Sequence, residues 1–203
     1  NEPDLFWTNN YDNNSSTGKW QEVRNYQNSM FDALKADNAT KNIIVCTPPL
    51  STYTLADDLG NAGNIKGDKV NWHWYTGQGN PDKNEVGTGI TQTKNGLGRS
   101  GMPTSDIFTT ESGHNSWKTA NPGNNNNTAV NEVTQMRYNL RILADQFRRG
   151  IKRTYLHQLM DLGTTNSFKN SWGIVKADSN KTPKPAFKAW KAMVSLFKER
   201  TWN

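Results

Sequence analysis

Short apolar runs rich in β-branched residues alternate along this chain with longer stretches whose apolar residues recur every three or four positions. The short runs are NIIVCT at 42–47, KVNWHWY at 69–75, DIFTT at 106–110 and RTYLHQL at 153–159. A continuous run such as NIIVCT is typical of a strand that is buried on both faces, as in a parallel sheet covered by helices. The alternation therefore predicts an α/β fold in which βα units build a parallel sheet.

Helices are predicted where the apolar residues keep a period of 3.6 positions. One helix is expected over 19–37, a short one over 53–62, a long one over 128–149 and a last one after the Thr-Pro-Lys-Pro segment at 182–185. The buried stripe expected on the long helix consists of Val133, Met136, Leu140, Leu143 and Phe147.

Residues 76–104 are rich in Gly, Asn, Lys and Thr and are predicted to be a loop, with a weak helical pattern over 89–95. A loop of this length inside a compact domain usually has a function. No linker or internal repeat divides the chain, so 1–203 is expected to be one domain. The strand positions are too few for a closed eight-stranded barrel, which takes roughly 250 residues.

The charge and hydropathy patterns argue against nucleic-acid and membrane partners. The chain of 203 residues has a formal charge of +6, but its Lys and Arg residues are scattered. Nucleic-acid binding would need a basic stripe with aromatic stacking partners, and no such stripe is present. No apolar run approaches the length of a membrane span.

No metal or cofactor is expected from the sequence. Cys46 is the one cysteine, so no internal disulfide can form, and within its apolar run it is interpreted as a small core residue. His73, His114 and His157 lack the spacing of metal ligands. The glycines of 77–101 lack the ordered spacing of a phosphate-binding loop.

Two carboxylates, Glu2 and Glu111, come directly after residues that are predicted to end strands. Strand ends on the same face of a parallel barrel point at one mouth, where barrel enzymes keep their chemistry. Two carboxyls there can hydrolyse a glycoside, one donating a proton and the other attacking the anomeric carbon. For Glu111 alone, an ordinary carboxylate solvated by the following loop is the alternative. Aromatic residues suited to sugar faces occur in the same loops: Trp7, Trp72, Trp74, Tyr75, Trp117 and Trp172.

These positions resemble the ordered motifs of the clan A glycoside hydrolases. Asn1-Glu2-Pro3, with Asp4, Phe6 and Trp7 after it, is similar to the Asn-Glu-Pro signature that ends the fourth barrel strand in that clan. The resemblance implies that Glu2 is the general acid/base. Thr110-Glu111-Ser112-Gly113 resembles the end of the seventh strand, which implies that Glu111 is the nucleophile. His73-Trp74-Tyr75 resembles the end of the sixth strand, whose tyrosine commonly hydrogen-bonds the nucleophile; a buried tyrosine with another partner is the alternative for Tyr75.

The C-terminal part of the chain is similar to the eighth strand and closing helix of the clan. The matching segments are YLHQLMD at 155–161, WGIV at 172–175 and KPAF at 184–187. Many relatives carry Tyr-Glu-Leu where this chain has His157-Gln158-Leu159, which is a departure at a substrate-facing position. Strands one to four have no counterpart apart from the tip of the fourth. The resemblance therefore implies the C-terminal half of a (β/α)8 TIM barrel, strands 4/5 to 8 with their helices.

The function implied is that of a secreted retaining glycosidase that degrades a β-linked carbohydrate by double displacement, with Glu111 and Glu2 as the two glutamates. Trp172 fits a sugar platform and a cap on the barrel equally well. The alternative is a non-catalytic carbohydrate-binding or structural half-barrel, completed by another chain or by its N-terminal half. The residues expected to bind substrate are Asn1, Trp7, His73, Tyr75, Trp117 and Trp172.

Overall fold

The computed structural model describes residues 2–3, 16–76, 81, 85–99, 101–102, 106–117, 129–165 and 167–198, with the backbone alone described at 16–18 and 85. The helices and strands, in chain order, are α1 (Ser16–Ala36), a 3₁₀ turn (Tyr53–Leu55), α2 (Ala56–Asn61), β1 (Val70–Trp74), α3 (Glu85–Arg99), β2 (Ile107–Ser112), α4 (Glu132–Arg148), β3 (Arg153–Leu156) and α5 (Pro185–Phe197). None of the helices in these ranges combines the length and the apolar character that crossing a membrane requires.

The three strands form one parallel sheet in the order β1-β2-β3. The amide of Lys152 donates to the carbonyl of Ile107 at 3.0 Å, and that of His157 donates to Ser112 at 2.8 Å. The partner numbers rise together along both strands, as they do in a parallel ladder. Helices connect the strands, so the α/β fold predicted from the alternating pattern is confirmed.

The chain divides into two compact units. The first unit comprises 1–74, 84–110 and 147–154. The second unit comprises 75–83, 111–146 and 155–203. Each unit has its own group of buried apolar side chains and is described by itself below.

The first unit contains the larger apolar core, which is built around the tryptophans of β1. Trp72 and Trp74 are buried, and their rings stack with centroids 5.0 Å apart. Gly89 of α3 lies directly against them, because a Cβ there would lie 2.8 Å from the Trp72 ring and 2.9 Å from the Trp74 ring. A larger residue at this position would have to displace a rigid aromatic side chain.

Helices α2 and α3 approach so closely that glycine is required where they cross. A Cβ built on Gly60 would lie 1.9 Å from the carbonyl oxygen of Gly96, and a Cβ on Gly96 would lie 2.4 Å from the carbonyl group of Ala56. Both contacts are with backbone atoms, which cannot move aside as a flexible side chain can. The two glycines therefore set the distance between these helices.

Two predicted segments of the first unit differ in the structure. Residues 42–47 form no strand; Cys46 makes an isolated parallel bridge to Lys69. Ile43 and Ile44 are 51% and 47% exposed, so the run is not buried on both faces. Cys46 is half-buried, and burial raises the pKa of its thiol. The predicted loop at 76–104 contains α3, a helix of 15 residues.

The second unit is organised by a helix whose buried face is polar apart from Ile142. On α4 the buried side chains include Gln135 and Asn139, at 0% and 3% exposure. Val133 and Phe147, which the periodicity assigned to the buried stripe, are 47% and 61% exposed. The prediction was wrong about this face because amide side chains with suitable partners can be buried as readily as apolar ones.

The partners of these amides are backbone groups of neighbouring loops. Gln135 Nε2 donates to the carbonyl oxygens of His114 at 2.9 Å and Gly173 at 3.2 Å. Asn139 Oδ1 accepts the amide hydrogen of His114 at 3.0 Å. The apolar cluster of this unit is small, with Ile174, Val175 and Ala186 as its fully buried members. Hydrogen bonds to α4 therefore hold the loop that follows β2.

The last predicted strand is shorter in the structure than the sequence suggested. Its ladder ends at Leu156 rather than continuing to residue 159. Beyond it, Val175 forms isolated bridges with Met160 and with Pro183. The final helix begins at Pro185, the first helical position, where a proline lacks no hydrogen bond.

Candidate active site

Within the first unit, the polar residues of β1 and β2 surround the side chain of Glu2. Alternation along β1 places Asn71 and His73 on one face and the core tryptophans on the other. His73 Nδ1 lies 2.8 Å from Glu2 Oε1, and His73 Nε2 lies 3.0 Å from the hydroxyl of Thr110. The His73 side chain is 1% exposed and that of Glu2 is 14% exposed. This carboxyl is therefore held by a buried imidazole.

The backbone of Glu2 is in the left-handed region, with a φ of 42°. A residue with a side chain rarely adopts this conformation, which costs about 1–3 kcal/mol unless the surroundings enforce it. Here the contact with His73 accompanies it. Such strain is concentrated at functional positions.

The hydrogen bonds around Thr110 settle which nitrogen of His73 carries a proton. The Thr110 hydroxyl donates to Asn71 Oδ1 at 2.8 Å, which uses its single proton. It must therefore accept from His73 Nε2, which carries a hydrogen. Nδ1 and Glu2 Oε1 then share one proton between them, because a 2.8 Å contact needs a donor.

Within the second unit, Tyr75 contacts the other strand-end glutamate. The Tyr75 hydroxyl donates to Glu111 Oε2 at 2.9 Å. This is the contact that the resemblance implied for the tyrosine after the sixth strand. Both side chains are half-buried, so Glu111 retains some access to solvent. A phenol that donates to one carboxylate oxygen fixes the orientation of the carboxylate.

Aromatic side chains of the second unit lie close to this tyrosine. The ring of Trp172 meets Tyr75 edge to face with centroids 5.2 Å apart. Trp172 also contacts Phe168 at 5.5 Å and His157 at 5.9 Å, and Trp117 lies 6.4 Å from Phe168. Such a group offers flat apolar faces, beside a carboxylate, on which a sugar ring can stack.

Two ring nitrogens of these aromatic side chains are buried. Trp117 Nε1 and His157 Nδ1 have no hydrogen-bond partner among the residues that the structure describes. His157 stands where the clan pattern has tyrosine, and its amide donates to Ser112 at 2.8 Å. The backbone of His157 therefore continues the hydrogen-bond register of β3, at the position where the sequence differs from the clan pattern.

The predicted site residues fall into both units. Glu2 and His73 belong to the first unit, while Tyr75, Glu111, Trp117 and Trp172 belong to the second. Asn1 and Trp7 lie outside the described residues. Both ring nitrogens of His73, which was expected to bind substrate, contact protein groups.

Sequence reasoning missed Asn71 and Thr110 as parts of the site. Their signal was a polar residue inside an otherwise apolar strand run, at the alternating positions that share a face with His73. Thr109, the residue before Thr110 on β2, instead accepts the indole hydrogen of Trp72 at 2.6 Å in the core. The two threonines therefore serve opposite faces of the same strand.

Comparison with known proteins is informative only at the level of structure. No protein-family model matches the sequence, and no curated protein matches it. A glycoside hydrolase family 17 β-1,3-glucanosyltransferase from Rhizomucor miehei matches with a TM-score of 0.61 and 15% identity. The match covers 91% of this chain and 60% of that one.

Two further similar structures belong to glycoside hydrolase family 2 or carry glucuronidase names. The β-galacturonidase from Eisenbergiella tayi has a TM-score of 0.60 at 16% identity, covering 85% of this chain and 30% of that one. The β-glucuronidase from Ruminococcus gnavus has a TM-score of 0.56 at 15% identity, covering 89% and 30%. This chain thus spans 60% of the first structure and 30% of the other two. At such identities the likeness concerns the fold, and the chain has an α/β fold that it shares with part of these glycoside hydrolases.

Proposed function

We propose that this chain forms the catalytic part of a retaining glycoside hydrolase of clan A type that cleaves a β-linked carbohydrate. The observation that carries the proposal is the hydrogen bond from Tyr75 to Glu111 at the end of β2. It orients a half-buried carboxylate beside an aromatic group, as a nucleophile for a sugar ring requires. The glycoside hydrolase fold of the similar structures supports the same class of function.

In the first step, a Glu111 carboxylate oxygen attacks the anomeric carbon and forms a glycosyl ester. The bond from that carbon to the leaving oxygen breaks, and Glu2 donates a proton to the oxygen so that an alcohol departs. Retaining enzymes hold the two carboxyls about 5–5.5 Å apart.

In the second step, Glu2 removes a proton from water, and the water oxygen attacks the anomeric carbon. The ester bond breaks, which releases the sugar with its original configuration and regenerates the Glu111 carboxylate. The proton that Glu2 and His73 share supports the acid role in the first step. The Tyr75 hydroxyl supports the nucleophile role, because it stabilises the carboxylate that leaves in the second.

Trp117 and Trp172 are proposed to stack on sugar rings, with His73 and Tyr75 at the reacting sugar. The R. miehei enzyme, as an active-site mutant, was solved in complex with laminaritriose, so β-1,3-linked glucose oligomers are suitable first substrates to test. Aryl β-glycosides and glucuronides complete the panel because of the family 2 likeness. We further propose that the chain corresponds to the C-terminal half of a TIM barrel, forms one domain, and works outside the cell on polysaccharide.

Substitution of the two glutamates tests the proposal. Glu111→Ala should lower kcat by at least about 10³-fold, since no covalent intermediate can form. Glu2→Ala should lower kcat by about 10²–10⁴-fold on glycosides with poor leaving groups, and much less on 2,4-dinitrophenyl glycosides, which leave without a proton. Sodium azide should restore turnover of Glu2→Ala and yield the β-glycosyl azide. Glu22→Ala, which removes an exposed carboxylate on α1, serves as the control. Full activity in either site variant would exclude that residue from its role.

The stereochemistry of the product provides an independent test. Proton NMR of the first product from an aryl β-glycoside should show the β-anomer before mutarotation. Initial formation of the α-anomer would mean inversion, and the double-displacement mechanism would be wrong.

A second candidate function, a sugar-binding or structural half-barrel completed by another chain or segment, is favoured by exposed apolar surface in the second unit. Leu159 and Leu162 are 65% and 69% exposed, and Tyr155 of the edge strand β3 is 48% exposed. Surfaces of this kind mark interaction sites. Light scattering with the activity screen separates the candidates: an inactive protein that binds laminaritriose or self-associates would support the second, and an active monomer would exclude it.

A further inference from the structure

We propose that Lys184 is a positioning residue that holds the loops carrying Trp117 and Trp172 in their sugar-binding arrangement. Its part in turnover rests on the proposed glycosidase function, whereas its effect on the two tryptophans does not. Lys184 immediately precedes Pro185, the first residue of α5. It lies in the second unit together with Ser116, Trp117, Asp161, Trp172 and Gly173.

The ammonium group of Lys184 is surrounded by three acceptors. Nζ donates to Ser116 Oγ at 2.9 Å, to Asp161 Oδ1 at 2.8 Å and to the carbonyl of Gly173 at 2.9 Å. A lysine ammonium has three hydrogens, so each has its own acceptor. The side chains of Lys184 and Asp161 are 2% and 11% exposed.

The three acceptors come from three different segments of the chain. Ser116 lies in the loop after β2, Asp161 follows the β3 segment, and Gly173 lies further along. A buried charge is tolerated only when it is paired and hydrogen-bonded. Lys184 is therefore a junction whose geometry is fixed by all three segments at once.

Two of these acceptors are direct neighbours of the predicted sugar-binding tryptophans. Trp172 precedes Gly173, whose amide donates to Asp161 Oδ1 at 2.8 Å. A Cβ at Gly173 would lie 2.1 Å from the Asp161 amide nitrogen, so this backbone is closely confined. Asp161 Oδ1 thus accepts hydrogen bonds both from Lys184 Nζ and from the amide of Gly173, the residue after Trp172.

Trp117 is held through Ser116 in the same way. The amide and the hydroxyl of Ser116 both donate to the carbonyl of Ser171, at 2.9 and 3.1 Å. The Trp117 amide donates to Asn115 Oδ1 at 2.6 Å. The two tryptophan loops are thereby tied to each other, and Lys184 donates to both of them.

This arrangement makes Lys184 a positioning residue, because all three of its ammonium hydrogens point to protein acceptors. Its influence on Glu111 would pass through Trp172, which contacts Tyr75, the donor to that carboxylate. A residue that merely stabilised the fold would change the unfolding midpoint and leave the native environments of Trp117 and Trp172 unaltered. The two roles therefore differ in a measurable spectroscopic property.

Fluorine NMR of protein labelled with 5-fluorotryptophan gives a separate readout for each tryptophan, with assignment by Trp→Phe variants. The variant Lys184→Met combined with Asp161→Asn removes both charges, so no lone buried ion remains. We expect the Trp117 and Trp172 resonances to shift or broaden, and those of Trp72 and Trp74 to stay in place. Lys188→Met, an exposed lysine on α5, is the matched control and should alter none of the four. Unchanged Trp117 and Trp172 resonances in the folded double variant would overturn the proposal.

If the double variant does not fold, the wild-type protein provides the decisive measurement. Nitrogen-15 spectra of the lysine side chains should show a slowly exchanging ammonium group for Lys184, identified with Lys184→Arg. Ammonium hydrogens of Lys184 that exchange as fast as those of Lys188 would contradict the three bonds and overturn the proposal.

Kinetics connect the positioning role to turnover. On an oligosaccharide substrate, the double variant should lose up to about 10²-fold in kcat/KM, mainly through KM. Lys184→Arg, which retains the charge, should recover part of the loss. The wild-type protein could hydrolyse none of the glycosides while the Trp117 and Trp172 resonances still move in the double variant. That result would refute the proposed function and leave the positioning role intact. If the wild-type protein is active and the Trp117 and Trp172 resonances of the double variant do not move, the proposed function stands and the positioning role is refuted.

Discussion

A single hydroxyl determines where the proton lies beside Glu2. Because the Thr110 hydroxyl donates to Asn71, it can only accept from His73 Nε2. The other ring nitrogen, Nδ1, then faces the Glu2 carboxyl and shares a proton with it. A neutral histidine with the opposite tautomer would instead donate to Glu2 and leave it as a carboxylate. The state of the candidate acid thus depends on a residue that does not touch it.

Replacing Thr110 by Val tests this dependence. Without the acceptor for Nε2, His73 should release its Nε2 hydrogen to solvent and keep the shared hydrogen at Nδ1, which would leave Glu2 as a carboxylate. We expect kcat/KM to fall by about tenfold or more on substrates with poor leaving groups, with a small change on dinitrophenyl glycosides. Thr109→Val on the opposite face of β2 is the control; it should reduce stability, through the lost bond with Trp72, without this dependence on leaving group. An equal loss for both classes of substrate in Thr110→Val would refute the proton assignment.

At the scale of elements, the sequence predicted those helices and strands whose apolar period matches their burial. Strands β1 and β2 were found within a few residues, because their apolar side chains are buried. Helix α5 was found from its period and its proline start, although Val194 and Phe197 are 46% and 41% exposed. Helix α3 was obscured by glycines such as Gly89 and Gly96, whose low helix propensity is offset by close packing on tryptophan rings and on α2. The inward face of α4 could not be read from hydropathy, because Gln135 and Asn139 owe their burial to backbone partners in distant loops.

The crossing of α2 and α3 gives a prediction about stability. Gly60→Ala should destabilise the protein by about 1–3 kcal/mol or more, since its Cβ would overlap the Gly96 carbonyl. Gly150→Ala is the control: apart from its chain neighbours, no residue that the structure describes has an atom within 4 Å of a Cβ at this position, and its φ of 84° opposes the substitution. We expect that control to cost about 1 kcal/mol. Urea unfolding curves measure both, and equal midpoints would show that the helices can separate at little cost.

For the whole molecule, the sequence identifies candidate site residues because strand-end glutamates, a tyrosine and tryptophans stand at recognisable places in it. The hydrogen bond between Tyr75 and Glu111 agrees with the implied contact. The supporting residues could not be predicted, since Lys184 meets Ser116, Asp161 and Gly173 only after the chain has folded. Such contacts join positions that are far apart in the sequence and have no local pattern.

The pH dependence of stability should reflect the aspartate at the start of β2. A hydrogen bond from Lys69 to Asp106, at 2.5 Å, lowers the pKa of that carboxyl. A folded pKa below the unfolded value of about 3.9 stabilises the folded protein above that value, and the contribution disappears as pH falls through the folded pKa. We therefore expect wild type to exceed Asp106→Asn in the free energy of unfolding at pH 7, with the difference vanishing toward pH 2. A constant difference in urea titrations across this range would contradict the assignment.

The polar inner face of α4 has a consequence for how the protein responds to temperature. Burial of apolar surface gives unfolding its large heat capacity, and hydrogen-bonded polar surface contributes with the opposite sign. Among the residues that the structure describes, the first unit has a cluster of sixteen buried apolar side chains and the second a cluster of three. Calorimetry should therefore assign most of the heat-capacity increment to the first unit. Cooling would weaken that core, while the amide-bonded loops around Glu111 would keep their cohesion in the cold.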